Sequence, residues 1–142
     1  MSNHRTYQRF TLQAEERLKL RNDIETLFRQ GEAFSVYPLR VVFRLSTNQH
    51  LHIAPVRVGF SIPKKRLRLA HQRHRVRRLL KEAWRLQKHT VYAHIPPQNQ
   101  LHCFLIYTGS TDVRAFTFDV AQSVVAKAMH KLLAELALPS TQ

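Results

Sequence analysis

Hydrophobic and polar positions divide the chain into a short series of elements. Ile24, Leu27 and Phe28 fall on one face of a helix. Asn22 is placed to cap that helix, Glu25 to close a capping box, and Gly31 to end it in the left-handed region. Leu39, Val41, Phe43 and Leu45 alternate with Arg40, Val42, Arg44 and Ser46, the pattern of a half-buried strand. Residues 47–50 read as a turn. Val56, Val58, Phe60 and Ile62 alternate with Arg57, Gly59 and Ser61 in a second strand, and residues 52–55 either begin it or form a short strand of their own. From about 71 to 88 runs the longest helical period, with Val76, Leu79, Leu80, Ala83 and Leu86 as its apolar stripe. Residues 90–100 read as a loop, 101–108 as a buried strand and 109–112 as a turn. Thr117 caps a last helix over 118–136 that buries Ala121, Val124, Val125, Ala128, Leu132 and Leu136. The order is helix, two or three strands, helix, strand, helix. This predicts one α+β (α/β sandwich) domain over 19–138, a flexible polar segment over 1–18 and a tail over 139–142.

Composition adds little to this picture until charge is considered. With 142 residues, 44% of them hydrophobic, the chain can bury an ordinary core. No apolar run approaches the roughly 18 residues of a membrane span, and the polar opening Met1 to Arg5 does not read as a secretory signal. The single cysteine, Cys103, lies in an apolar run and points to a buried thiol in a cytoplasmic protein. Lys and Arg number 23 against 9 Asp and Glu, a formal charge of +14. Self-repulsion of that size is relieved by a polyanion, nucleic acid before an acidic membrane surface.

The cations are concentrated. Between Lys64 and Lys88 there are eleven Lys or Arg and one acid, Glu82. The connector carries Lys64, Lys65, Arg66 and Arg68. On the helix, Arg73, Arg77, Lys81 and Arg85 recur every four residues, with Arg75 and Arg78 beside them. The apolar stripe pins the opposite face, so cations are presented at steps of about 6 Å, near the spacing of phosphates along a strand. A merely solvated face would mix signs to gain i,i+4 pairs, whereas this one sets like charges at that spacing. No helix-turn-helix pair, heptad zipper or zinc spacing suggests DNA reading.

Catalytic and metal-binding patterns are missing. The pairs His50/His52 and His71/His74 have no nearby carboxylate or cysteine to complete a metal site. Ser61 and Cys103 lack a nucleophile motif, three glycines form no phosphate loop, and the acids are scattered.

The segment Val58-Gly59-Phe60-Ser61-Ile62-Pro63-Lys64-Lys65, followed by Ala70-His71-Gln72-Arg73-His74-Arg75-Val76-Arg77-Arg78-Leu79-Leu80-Lys81-Glu82-Ala83, resembles the signature of the bacterial ribonuclease P protein subunit. In that family a V-G-x-S-x-x-K-K strand end precedes A-x-x-R-N-R-x-K-R-x-x-R-E on a helix. Arg17-Leu18-Lys19, then Asp23 to Gly31, then Phe34-Ser35 and a strand, follow the family's order. His74 replaces the family's central Asn, the connector has no glycine and is one residue longer, and Ile24 replaces one aromatic of the family's first helix while a second is retained as Phe28.

The resemblance implies an α-β-β-β-α-β-α fold with a left-handed β-α-β crossover, like the second domain of ribosomal small-subunit protein five. It implies that the chain binds the catalytic RNA subunit of ribonuclease P and the 5′ leader of precursor tRNA, and assists endonucleolytic removal of that leader. The chemistry is then expected on the RNA. No catalytic residue, metal or cofactor is expected on the protein's own side chains, and Mg²⁺ is expected in the RNA-containing holoenzyme. The expected RNA-binding residues are Lys64, Lys65, Arg66, Arg68, Arg73, His74, Arg75, Arg77, Arg78, Lys81 and Arg85. Alternation places Arg40, Val42, Arg44, Arg57 and Ser61 on an open sheet face with Phe28 at its edge, a groove for single-stranded leader. The alternative is a basic ribosomal or structural RNA-binding protein with no processing role.

Overall fold

The computed structural model describes residues 11–47 and 54–137. A 3-10 turn at Ala14–Glu16 leads to α1 (Arg21–Gln30), β1 (Glu32–Val36), β2 (Leu39–Thr47) and β3 (Val56–Ser61). Then come α2 (Ala70–Gln87), a single turn α3 (His89–Tyr92), β4 (Asn99–Tyr107) and α4 (Phe118–Ala137). The four strands form one mixed sheet in the order β1-β2-β4-β3, with β3 parallel to β4 and the other pairs antiparallel. This is the expected α-β-β-β-α-β-α order, with α3 inside a stretch expected to be loop. Val91, Tyr92 and Ile95 are buried there, and that burial organises the stretch. The residues of the expected 47–50 turn after Thr47, and His52 with Ile53, lie outside the described residues, as does the tail from 138.

One sheet face carries the main core. Leu39, Val41 and Phe43 of β2 lie beside Tyr107, Leu105 and Cys103 of β4, and Val58 of β3 meets Cys103 from the other side. Against them pack Val76, Leu80, Ala83 and Trp84 of α2 and Ala121, Val125, Ala128, Met129 and Leu132 of α4. Trp84 takes the place expected for Leu86, which is exposed. At about 100° per residue Leu86 lies roughly 80° off the Val76 direction, whereas Trp84 follows Leu80 by one turn. Thr117 caps α4 as expected, its Oγ1 accepting from the Val120 N–H at 3.3 Å.

The opposite face holds a smaller cluster, Leu18, Leu27 and Val42, with Ile24, Phe104 and Ile106 partly buried around it. Helix α1 supplies most of this cover. Its start differs from expectation: Arg21 opens the helix, the Leu20 cap position has no side-chain bond, and Glu25 pairs with Arg21 at 3.3 Å instead of closing a box through Asn22. Gly31 is extended, with φ −82° and ψ 168°. It is required by close approach rather than by a left-handed turn, because a Cβ there would lie 2.5 Å from the Leu27 carbonyl and 2.9 Å from that of Phe43.

The packed unit also begins before residue 19. Glu16 and Leu18 are buried, and Arg17 forms a parallel bridge with Val58 at the outer edge of β3. From 11 to 18 the segment expected to be flexible is therefore built into the domain, and residues 1–10 lie outside the description.

Candidate nucleic-acid interface

Helix α2 is held to the core along one side, so its cations are displayed on the other, but they are not equivalent. Arg73 turns back, and its Nη1 donates to the carbonyls of Leu67 and Arg68, both at 2.8 Å. It thereby shapes the connector on which Lys64, Lys65, Arg66 and Arg68 stand exposed. Arg75 Nη1 donates to the carbonyls of Val113 at 3.0 Å and Phe116 at 2.8 Å, tying α2 to the loop before α4. Arg85 pairs with Glu82, Nη2 to Oε1 at 2.7 Å and Nε to Oε2 at 2.9 Å. That hydrogen bond holds the Glu82 carboxyl below its usual range. The expected four-residue ridge thus has structural duties at Arg73 and a neutralising partner at Arg85, and flanking Arg75 also has a structural role.

The remaining basic residues of the helix converge with residues of the N-terminal segment. His74, Arg77, Arg78 and Lys81 line a depression of about 480 Å³ together with Arg17 and Leu12. A second depression of about 200 Å³ adjoins it, lined by Arg17, Lys19, Gly59, Phe60, Arg77 and Lys81. Arg17, Arg77 and Lys81 belong to both. Burial, then the charges of Arg17 and Arg77, push the Lys81 ammonium below its ordinary pKa. Like charges held together in this way favour an anion between them. Arg17 and Lys19 entered the sequence reading only as part of a family pattern. Nothing local in their sequence marks them as neighbours of α2, because the depressions join residues far apart along the chain.

Strand register builds the second candidate surface. Three rows cross β2, β4 and β3 on the face that α1 partly covers: Arg44, His102 and Arg57; Val42, Phe104 and Gly59; Arg40, Ile106 and Ser61. In the middle row a Cβ on Gly59 would lie 2.1 Å from the Phe104 ring, so glycine lets that ring lie across β3. Phe28, 47% exposed, sets its ring edge-on to Phe104 with centroids 5.3 Å apart. In the cationic row, Arg57 Nε is buried without a hydrogen-bond partner among the described residues. His102 Nε2 lies 2.9 Å from Gln100 Oε1. Burial lowers its pKa below 6.5, Asp23 opposes that shift, and Arg57 and Arg44 add to it.

Of the expected groove residues, Arg40, Arg44, Arg57 and Ser61 share this face and Phe28 stands at its rim. Val42 does not line open surface: it is 5% exposed, covered by Leu18 and Leu27. Being at the centre of the face, it lies under α1 rather than beside it. Sequence reasoning missed Phe104 and His102, because the run from Leu101 is apolar enough to read as buried on both sides.

Among the described residues no three His, Cys, Asp or Glu side chains converge on a metal position. His50 and His52 lie outside them. Cys103 is fully buried, which raises its thiol pKa. No described helix is long and apolar enough to cross a membrane.

Known proteins resemble this chain both in sequence and in fold. The family model for Ribonuclease P matches residues 12–135, beginning where the N-terminal segment becomes packed. The ribonuclease P protein component of Porphyromonas gingivalis is 50% identical over 80 residues, which span 56% of this chain and 57% of that relative's length. That of Escherichia coli is 30% identical over 79 residues, spanning 56% of this chain and 62% of the relative. Two solved structures share the fold. The RNase P protein from Thermotoga maritima has a TM-score of 0.65 at 21% identity, covering 82% of this chain and 96% of that one. The Staphylococcus aureus RNase P protein has a TM-score of 0.61 at 19% identity, covering 83% and 94%. With its helix signature, its sheet order and a match over most of its length, this chain belongs to the ribonuclease P protein-component family.

Proposed function

We propose that this chain acts as the protein subunit of ribonuclease P, binding the catalytic RNA and the 5′ leader of precursor tRNA while the RNA performs phosphodiester hydrolysis. The observation that carries this proposal is the presence of two chemically different surfaces on one small domain, one cationic and one with an aromatic pair beside arginines. The depressions around Arg17, Arg77 and Lys81, with the connector cations, suit phosphates of a folded RNA. Phe28 at the rim and Phe104 below it, beside Arg44 and Arg57, suit an unpaired strand, offering a ring for stacking and cations for phosphates. The protein's part is to bind and orient. In this reading Mg²⁺ belongs to the RNA-containing particle. The buried thiol of Cys103 suits a reducing cytoplasm.

The test is addition of the chain to a bacterial ribonuclease P RNA at low magnesium. The expected result is stimulated cleavage at the mature 5′ end, with precursor affinity that rises with leader length. Stacking is worth about 1–3 kcal/mol per base, so Phe28→Ala with Arg44→Ala should cost roughly tenfold or more in precursor affinity and spare mature tRNA. A protein that binds the RNA yet ignores the leader would support the structural RNA-binding alternative instead.

A further inference from the structure

We infer that Glu16 is a positioning residue for RNA binding: its buried contacts hold residues 11–18 against the helical layer so that Arg17 completes the cationic depression. This rests on the RNA-binding role proposed above and adds a residue that touches no RNA itself.

Glu16 and Lys88 are both fully buried. Glu16 Oε1 accepts from Lys88 Nζ at 2.7 Å and from the Tyr92 hydroxyl at 2.6 Å, and Oε2 accepts from the Gln13 N–H at 2.8 Å. Lys88 Nζ also donates to the Thr11 carbonyl at 2.6 Å. Lys88 directly follows α2 and Tyr92 ends α3, so one charge pair ties both ends of residues 11–16 to the helices. Two residues on, the Leu18 N–H donates to the Val58 carbonyl at 2.9 Å. Arg17 lies between these two fixed points.

An anchor of this kind answers a specific difficulty. Arg17 stands near Arg77 and Lys81 with no acid lining their shared depression except Glu82, which is engaged by Arg85. Repulsion alone would drive an exposed terminal segment away. Releasing the segment, however, strips Lys88 of its carboxylate, and an unpaired buried charge is strongly unfavourable. The pair therefore holds like charges together until a phosphate neutralises them. An ion pair that merely filled space would stabilise the fold without being coupled to Arg17.

The experiment compares Glu16→Gln, Arg17→Ala, the two combined, and Glu16→Leu with Lys88→Met. Each is titrated with a bacterial ribonuclease P RNA over a salt series, at a temperature where circular dichroism shows the protein folded. Arg17→Ala and Glu16→Gln should each weaken binding roughly tenfold and lower the salt slope by a little under one unit, as one lost phosphate contact does. In the Arg17→Ala background Glu16→Gln should add almost nothing. The apolar pair, which leaves no unpaired charge and keeps the segment packed, should restore the wild-type slope, and it serves as the test if Glu16→Gln does not fold. Additive losses, an unchanged slope in folded Glu16→Gln, or no recovery in the apolar pair would overturn the inference. Amide exchange without RNA separates the two levels: Leu18 should exchange faster in Glu16→Gln and not in Arg17→Ala. Protection unchanged in Glu16→Gln overturns the positioning role alone, whereas wild-type protein that fails to bind the RNA takes the functional proposal with it.

Discussion

Gly59 offers the sharpest single test of the sheet-face groove. A methyl group added there would sit 2.1 Å from Cε1 and 2.4 Å from Cδ1 of Phe104. Ordinary carbon contacts lie at about 3.5–4.0 Å, so the ring has to retreat by roughly 1.5 Å. It cannot do so freely, because Phe28 packs edge-on against it at 5.3 Å. Overpacking of this kind costs about 1–3 kcal/mol, and loss of the aromatic pair about 0.5–1.5 kcal/mol more. Against this, alanine is better than glycine inside a strand by roughly 0.5–1 kcal/mol. Gly59→Ala should therefore destabilise the protein by about 1–3 kcal/mol. In a Phe104→Ala background there is no ring to displace, and the same change should be neutral or stabilising by up to about 1 kcal/mol. Urea denaturation of the four proteins measures this coupling, and precursor affinity against leader length reads its effect on the groove. If Gly59→Ala costs the same in both backgrounds, the ring does not lie where the geometry puts it. If the single substitution is silent, the floor of the groove is not tightly packed.

Arg75→Ala should lose about 1.5–3 kcal/mol of stability, because its guanidinium serves two carbonyls, yet leave the salt slope of RNA binding nearly unchanged. Arg77→Ala should do the reverse, and equal effects from the two would contradict the division between them. Lys88→Met alone strands the Glu16 carboxylate and should cost about 3–5 kcal/mol in urea denaturation, more than Glu16→Leu with Lys88→Met together. The lowered pKa of His102 means that the unfolded chain takes up the proton more readily. Its contribution to stability is thus complete above the ordinary value of 6.5 and is lost as the pH falls through the folded value. Urea midpoints should drop over that window more for wild type than for His102→Gln, and parallel profiles would remove His102 from the account. Cys103 should react with thiol reagents only as fast as the protein opens, so rapid labelling of folded protein would contradict its burial.

The elements legible in the sequence were those whose periodicity is enforced by a single buried face. The β2 and β3 alternations and the α4 stripe needed only the difference between periods of two and 3.6. What the sequence concealed depends on contacts distant along the chain. Glu16 reads as one more polar residue near the start until Lys88 and Tyr92 are placed around it. Arg75 and Arg73 are indistinguishable in sequence from Arg77, and only the carbonyls they reach separate structural from available cations. Phe104 and His102 were hidden by the apolar character of β4, whose second face is only half covered by α1. Val42 was misjudged for a related reason: alternation identifies the face of a sheet but not what lies over it.

The strand order also bears on how the chain can assemble during synthesis. β4 sits between β2 and β3, so β3 has no sheet neighbour among the named strands until residues 99–107 have been made. The same delay applies to α2, whose buried side also packs against α4, the last element. A ribosome thus releases the cation-bearing helix before the strand and helix that secure it. Non-local pairing is slow relative to local contacts, which leaves an interval in which the residues of α1, β1, β2 and the basic helix have been made but β3 cannot yet join the native sheet. An RNA that engaged those cations early would meet a partly assembled protein, and completion of the fold would then proceed on the bound chain.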